Sequence, residues 1–139
     1  SLLRARWHMS NGPQTQAEVL LIKAAEDEAT LHVLGIPDAL LGFHAQQSVE
    51  KLMKALISAR SSQFEMTHDL HRLEQALKGL GETLPSAPIR FSDLNDFAVE
   101  YRYDLLFQHA NPDKAELLET DRLIREHVVA RIAALSATP

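Results

Sequence analysis

Within "DFAVEYRYDLLFQHANP", residues 96–112, Arg102 and His109 stand seven residues apart. Continued as a helix, that spacing is nearly two turns, so both side chains fall on one face about 10 Å apart along the axis. A neutral imidazole, with an ordinary pKa of about 6.5, can take a proton from an attacking hydroxyl near neutral pH. A planar guanidinium can give two parallel hydrogen bonds to phosphoryl oxygens as charge builds on them. Together the two could bracket a phosphodiester, with His109 as base and Arg102 as clamp. Tyr101 or Tyr103 could stack on a base or donate to a phosphate, and Asp104 could orient a neighbouring Arg or His. Each residue also has an ordinary use. Arg102 can pair with Asp104, with Glu100 or with a carboxylate on another helix. His109 suits the negative end of a helix dipole without any catalysis. Tyr101 lies on an apolar stripe and is expected in the core.

A second polar group lies earlier in the chain, where Lys51 and Lys54, with Gln47, line one helical face and Arg72 adds positive charge nearby. That face could bind phosphate. It could equally be solvated, with Glu50 and Lys54 paired four residues apart for a few tenths of a kcal/mol. His44, beside an apolar stripe, is expected to be a boundary residue and not a ligand. In "AAEDEA", residues 24–29, adjacent carboxylates diverge around a helix, so a solvated face is expected there and no metal site. No closed metal-ligand set, nucleophilic triad or phosphate-binding glycine loop is legible, and no cofactor is expected.

Five helical segments must position these residues. Glycine and proline are concentrated between periodic stretches and nearly absent within them. The first segment runs from about Thr15 to Leu34, with Ala17, Leu20, Leu21, Ala24, Ala25, Glu28 and Leu31 in one stripe. Gly35 and Pro37 separate it from a second, about Pro37 to Arg60, whose stripe is Leu41, Ala45, Val49, Leu52, Met53, Leu56 and Ile57. A short third segment is capped by Thr67, carries Leu70, Leu73 and Leu77, and stops at Gly79 and Gly81. Ser92 is the expected cap of the fourth, with Leu94, Phe97, Ala98, Tyr101 and Leu105. Asn111 and Pro112 open the fifth, which carries Ala115, Leu118, Leu123, Ile124, Val128, Ile132 and Leu135. No alternating β-branched run interrupts this pattern, so the class is all-α: an up-and-down four-helix bundle with one additional short helix.

The chain of 139 residues is the size of one domain, and 45% apolar with 24% charged residues is ordinary globular usage. A net charge of −5 excludes coating nucleic acid by bulk electrostatics but leaves room for a local basic site. The absence of cysteine removes disulfides, thiolate metal sites and cysteine nucleophiles. No stretch approaches the roughly 18 apolar residues of a membrane span, and "SLLRARWHM" lacks the apolar core of a secretory signal, so a cytoplasmic protein with no membrane partner is expected. Residues 1–14 are read as a flexible lead in which His8-Met9 marks a cloning junction. The bundle is expected over 15–136, with 137–139 a tail.

Three segments, in this order, resemble the HEPN domain family, named for higher eukaryotes and prokaryotes nucleotide-binding. "FHAQQSVEKLMKALI", residues 43–57, is similar to the aromatic, Gln, Val-Glu-Lys, Lys-Ala pattern of the family's second long helix. "THDLHRLEQAL", residues 67–77, resembles its His-Asp-Leu turn, and "FAVEYRYD", residues 97–104, the Tyr-Arg-Tyr end of its third long helix. Asp104 stands where the family commonly has proline, so the helix can continue past Tyr103. The resemblance implies a bundle that forms homodimers, takes RNA or a nucleotide as ligand, and is often paired as a toxin with a small nucleotidyltransferase antitoxin. It implies for some members metal-independent endoribonuclease activity from an Arg, four to six residues and a His, a pattern that Arg102 and His109 match at its widest spacing. Other members lack the His and bind nucleotides or serve as scaffolds. His68 and Asp69 fit a helix's first turn on structural grounds alone, and only the resemblance makes them ligand-binding candidates.

Overall fold

A computed structural model describes residues 15–61, 63, 65–103 and 113–137. Among these residues the structure is entirely helical, with five helices and no strand: α1 Gln16–Leu31, α2 Asp38–Arg60, α3 Leu70–Gly79, α4 Phe91–Tyr103 and α5 Lys114–Ser136. Four are long and α3 is short, which is the all-α class expected. Asp104, His109, Leu105, Asn111 and Pro112 lie outside the described residues, as do residues 1–14.

Local chemistry moves several helix ends. Thr15 caps α1 by accepting from the Glu18 amide. The helix stops at Leu31, short of the expected Leu34, where the His32 amide turns back to Ala29 and Gly35 takes a φ of 76°. At α3 the cap is Asp69 and not Thr67: the Asp69 carboxylate accepts from the His71 amide at 2.9 Å, while the Thr67 hydroxyl accepts from Asp69. A carboxylate one residue before the helix is the better partner for its unpaired N–H groups. Helix α4 begins at Phe91, so Ser92 lies inside its first turn, and Arg90 O accepts from Asp93 and Leu94. Asp113, not Asn111 with Pro112, caps α5 through the Glu116 amide at 3.2 Å.

Helix α2 is the centre of the bundle and touches the other four. Its expected stripe is buried throughout: Leu41, Ala45, Val49, Leu52, Met53, Leu56 and Ile57. Leu21 and Leu31 from α1, Leu73 and Leu77 from α3, Leu94 from α4, and Leu117, Ile124 and Val128 from α5 close around it. Burying each such side chain is worth about 1.5–3 kcal/mol. Pairs between helices set the directions. Gln16 meets Ser58 while Asp27 meets His44, so α1 runs antiparallel to α2. Phe97 and Tyr101 face Gly42 and Phe43, so α4 ends beside the start of α2. Asp121 meets Ser48 near the start of α5, which runs on alongside α2. The topology is up, down, up, down.

Because α2 is surrounded, its polar residues are buried too. Ser48 Oγ donates to Asp121 Oδ1, and Arg125 holds the other Asp121 oxygen at 3.2 Å while also pairing with Glu28. Asp121 is 1% exposed. Burial pushes its carboxyl up to about 7, against the pull of the Ser48 hydroxyl, and the Glu28 carboxylate adds to the rise. At the α3–α4 connection, buried Glu82 accepts from Arg131 Nε and Nη2 at 2.9 and 3.0 Å. Those bonds hold the Glu82 carboxyl below the usual carboxylate range.

Candidate functional site

The end of the bundle where α4 finishes and α2 begins holds Arg102. Gly42 permits the crossing there: a Cβ on it would lie 2.8 Å from Phe97 Cβ and Cγ, so only glycine lets α4 come this close. One residue on, the Phe43 ring meets the Tyr101 ring at 4.5 Å between centroids, tilted by 34°. The guanidinium of Arg102 lies over the Phe43 ring, 5.5 Å from its centroid, a cation–π distance. Arg102 is exposed, and among the described residues no carboxylate pairs with it.

Tyr101 differs from expectation. It is 43% exposed and not in the core. The stripe of α4 is buried at Leu94 and Ala98, but one turn later the helix has run to the start of α2, where Phe43 covers only one side of the tyrosine. Tyr103 ends α4, and His109 and Asp104 lie outside the described residues.

The two lysines of α2 face different neighbours. Lys54 is buried and donates to Glu50 Oε2 at 3.1 Å, the pair anticipated from their spacing but inside the bundle and not on a solvated face. Glu50 also accepts from Gln46 Nε2 at 3.3 Å and lies 3.0 Å from His68 Nδ1. Lys54 and His68 are thus brought together on one buried carboxylate. Gln46 Nε2 adds a bond to the His68 carbonyl at 2.9 Å, fixing the approach to α3. Asp69 takes the Asn95 amide at 2.9 Å besides capping α3, and Asn95 Oδ1 accepts from the Leu70 amide, which ties α4 to the start of α3. Arg72 pairs with Glu65.

Lys51 turns the other way, to Asp27 of α1, which is 8% exposed. Asp27 Oδ2 takes Lys51 Nζ and Oδ1 takes His44 Nδ1 at 2.9 Å. The expectation of a solvated "AAEDEA" face therefore holds for Glu26 alone, since Glu28 pairs with Arg125. His44 is half-buried at the boundary of the core, as expected, with Asp27 as its partner, and its ring stands edge-on to Phe43, 5.2 Å between centroids. One signal for this was present in the sequence. Asp27 is three residues after Ala24 and four before Leu31, so it occupies a stripe position, where a carboxylate needs a cationic partner.

Arg102, Tyr101, Phe43 and His44 thus form one aromatic and cationic edge, with Asp27 and Lys51 behind His44. Lys54, His68 and Asp69 belong to a second set around Glu50 and Asn95. The first set can offer a guanidinium to an oxyanion and an imidazole for proton transfer. In the second, each side chain already has a protein partner.

A family model described as HEPN domain matches residues 37–131, about two thirds of the chain. No curated protein and no solved structure is significantly similar to it. The match covers α2, α3, α4 and most of α5, and with them every residue of the two sets except Asp27.

The chain belongs to the HEPN domain family.

Proposed function

From that membership we propose that the protein acts on RNA in the cytoplasm as a metal-independent endoribonuclease of toxin–antitoxin type. Arg102 clamps the scissile phosphate, and His109 takes the proton of the attacking 2'-hydroxyl. The observation that carries this reading is the state of Arg102: exposed, oriented by the face of Phe43, and not neutralised by a carboxylate among the described residues. An arginine serving only the bundle would be tied to an acid, as half-buried Arg125 is to Asp121. A guanidinium resting on a phenyl ring keeps its N–H donors for a phosphate. Tyr101 and Tyr103 are the stacking candidates for a flanking base.

In this reading Lys51, Lys54, His68 and Asp69 shape the RNA-facing edge through their pairs, and Asp104 orients the catalytic arginine or histidine. The net charge of −5 then calls for positive charge gathered across a seam between two copies, which supports a homodimer. A small nucleotidyltransferase is the proposed antitoxin partner.

A second reading has an observation of its own. Lys51, Lys54 and Arg72 are each paired with a carboxylate, so little surplus charge surrounds Arg102. A non-catalytic nucleotide-binding or scaffold subunit needs no more than that. Cleavage of a structured RNA in EDTA, by the wild type, Arg102→Ala and His109→Ala, separates the two. Activity lost in both variants, with circular dichroism unchanged, supports the nuclease. A wild type that leaves the RNA intact supports the binding subunit, and nucleotide titration then measures it.

A further inference from the structure

A buried carboxylate is costly unless both oxygens are partnered, and Asp27 divides its oxygens between two side chains of α2. Lys51 Nζ takes Oδ2, and His44 Nδ1 takes Oδ1 at 2.9 Å. A carboxylate only accepts, so Nδ1 of His44 carries its proton in this contact. The tautomer is thereby fixed, leaving Nε2, on the far side of the ring, as the nitrogen that can gain or lose a proton. Nε2 makes no hydrogen bond among the described residues, and the side chain is 24% exposed.

The position of this imidazole matters as much as its partner. Its ring stands 5.2 Å from the Phe43 centroid, and the Arg102 guanidinium lies 5.5 Å from the same centroid. One phenyl ring thus carries both an anion clamp and a proton carrier. The clamp cannot do the second job, since an arginine does not give up its proton in a protein. In phosphoryl transfer the attacking and leaving oxygens lie on opposite sides of phosphorus, so the group that takes the 2'-hydroxyl proton is not placed to protonate the leaving oxygen.

We infer that His44 is a second catalytic residue, the general acid that protonates the leaving 5'-oxygen, and that Asp27 is its positioning residue. The inference rests on the ribonuclease reading above. The 2'-oxygen forms a bond to phosphorus as its proton passes to the base assigned there. The bond from phosphorus to the 5'-oxygen breaks, and that oxygen keeps the bonding electron pair and takes the proton from Nε2 of the His44 imidazolium. The products are a 2',3'-cyclic phosphate and a 5'-hydroxyl. The imidazole is left neutral, its Nδ1 proton still on Asp27.

The test compares an oligoribonucleotide with the same sequence carrying sulfur in place of the bridging 5'-oxygen, because a thiolate leaves without being protonated. His44→Gln cannot transfer a proton. It is expected to slow cleavage of the ordinary RNA by about 10²–10⁴-fold and to cleave the sulfur-bridged RNA at close to the wild-type rate. Asp27→Asn should show a smaller loss that sulfur also removes, whereas His109→Ala should be slow on both substrates. A His44→Gln protein that cleaves ordinary RNA at the wild-type rate, or that is equally impaired on both substrates with its circular dichroism unchanged, overturns the assignment and leaves the ribonuclease standing. A wild type that cleaves neither substrate overturns the ribonuclease reading and this assignment with it.

Discussion

Asp121 gives the fold a dependence on pH that can be worked out from its surroundings. The side chain is 1% exposed, with Ser48, Arg125 and Glu28 around it, and burial raises its carboxyl from 3.8 to about 7. Between those values the folded chain holds a proton that the unfolded chain has released. Stability therefore falls as pH rises from about 4 to about 7 and levels off above that. At about 1.4 kcal/mol for each pH unit, the span corresponds to on the order of 4 kcal/mol. Asp121→Asn is neutral at every pH, keeps an oxygen for the Ser48 hydroxyl, and leaves Arg125 its pairing with Glu28. Urea denaturation from pH 4.5 to 8.5 should show the variant within about 1 kcal/mol of the wild type at pH 5 and about 2–4 kcal/mol more stable at pH 8. Titrating groups away from Asp121 and Glu28 cancel in the difference. A difference that stays constant across the series would falsify the reasoning, because it would mean that Asp121 is ionised throughout.

Glu82 has the opposite sign. Arg131 holds its carboxyl below the ordinary value, so its contribution is present above pH 4.5 and is lost as pH falls below it. Glu82→Gln should cost about 1–3 kcal/mol at pH 7 and less at pH 3, and equal costs at both would contradict the pairing. Gly42→Ala would gain about 1 kcal/mol in an open helix, but here the added Cβ meets Phe97 at 2.8 Å. The overpacking should win by about 1–3 kcal/mol, read as a lower urea midpoint, and an unchanged midpoint would show that α4 yields freely. Phe43→Ala removes the ring under Arg102 and should weaken RNA binding about two- to fivefold, from about 0.5–1 kcal/mol of cation–π contact, with little loss of fold. Fluorescence anisotropy with labelled RNA checks this, and unaltered affinity would detach Phe43 from the site.

The stripes of α2 and α3 were legible because their apolar positions keep an unbroken helical period, even though Gly42, Gln46, Ser48, Glu50 and Lys54 of α2 are buried beside them. That of α5 was not read correctly in its first half. The buried positions there are Leu117, Thr120, Asp121 and Ile124, whereas Ala115 is exposed and Leu118 and Leu123 are half-buried. Two polar residues at core positions broke the apolar period, and periodicity shifted to the aliphatic residues beside them. Asp27 misled for the same reason. Tyr101 erred in the other direction, since a stripe says which way a residue faces and not whether the neighbouring helix extends far enough to cover it. At the candidate site, Arg102 was found from residue type and resemblance. The Phe43 platform and the Asp27–His44 contact depend on which helices cross, and a crossing joins residues far apart in the chain.

Those polar contacts explain why one end of the bundle can be held in a fixed geometry. Helices packed only through leucines can slide past one another at modest cost, because one aliphatic contact replaces another. Here α1 meets α2 through Asp27 with His44 and Lys51, the start of α3 through Glu50 with His68, and α5 through Asp121 with Ser48. A one-residue slide at any of these seams strands a buried polar group, at about 1–3 kcal/mol each and more for a charge. At the fourth seam, Gly42 fits under Phe97 and no other residue of α2 can take its place without a clash. The registers of all four neighbours are thus tied to α2 within three turns of Phe43. The same helix carries the Phe43 ring that Arg102 lies over and His44 stands edge-on to, so the polar residues that complicate the core also fix the placement of the clamp and the imidazole.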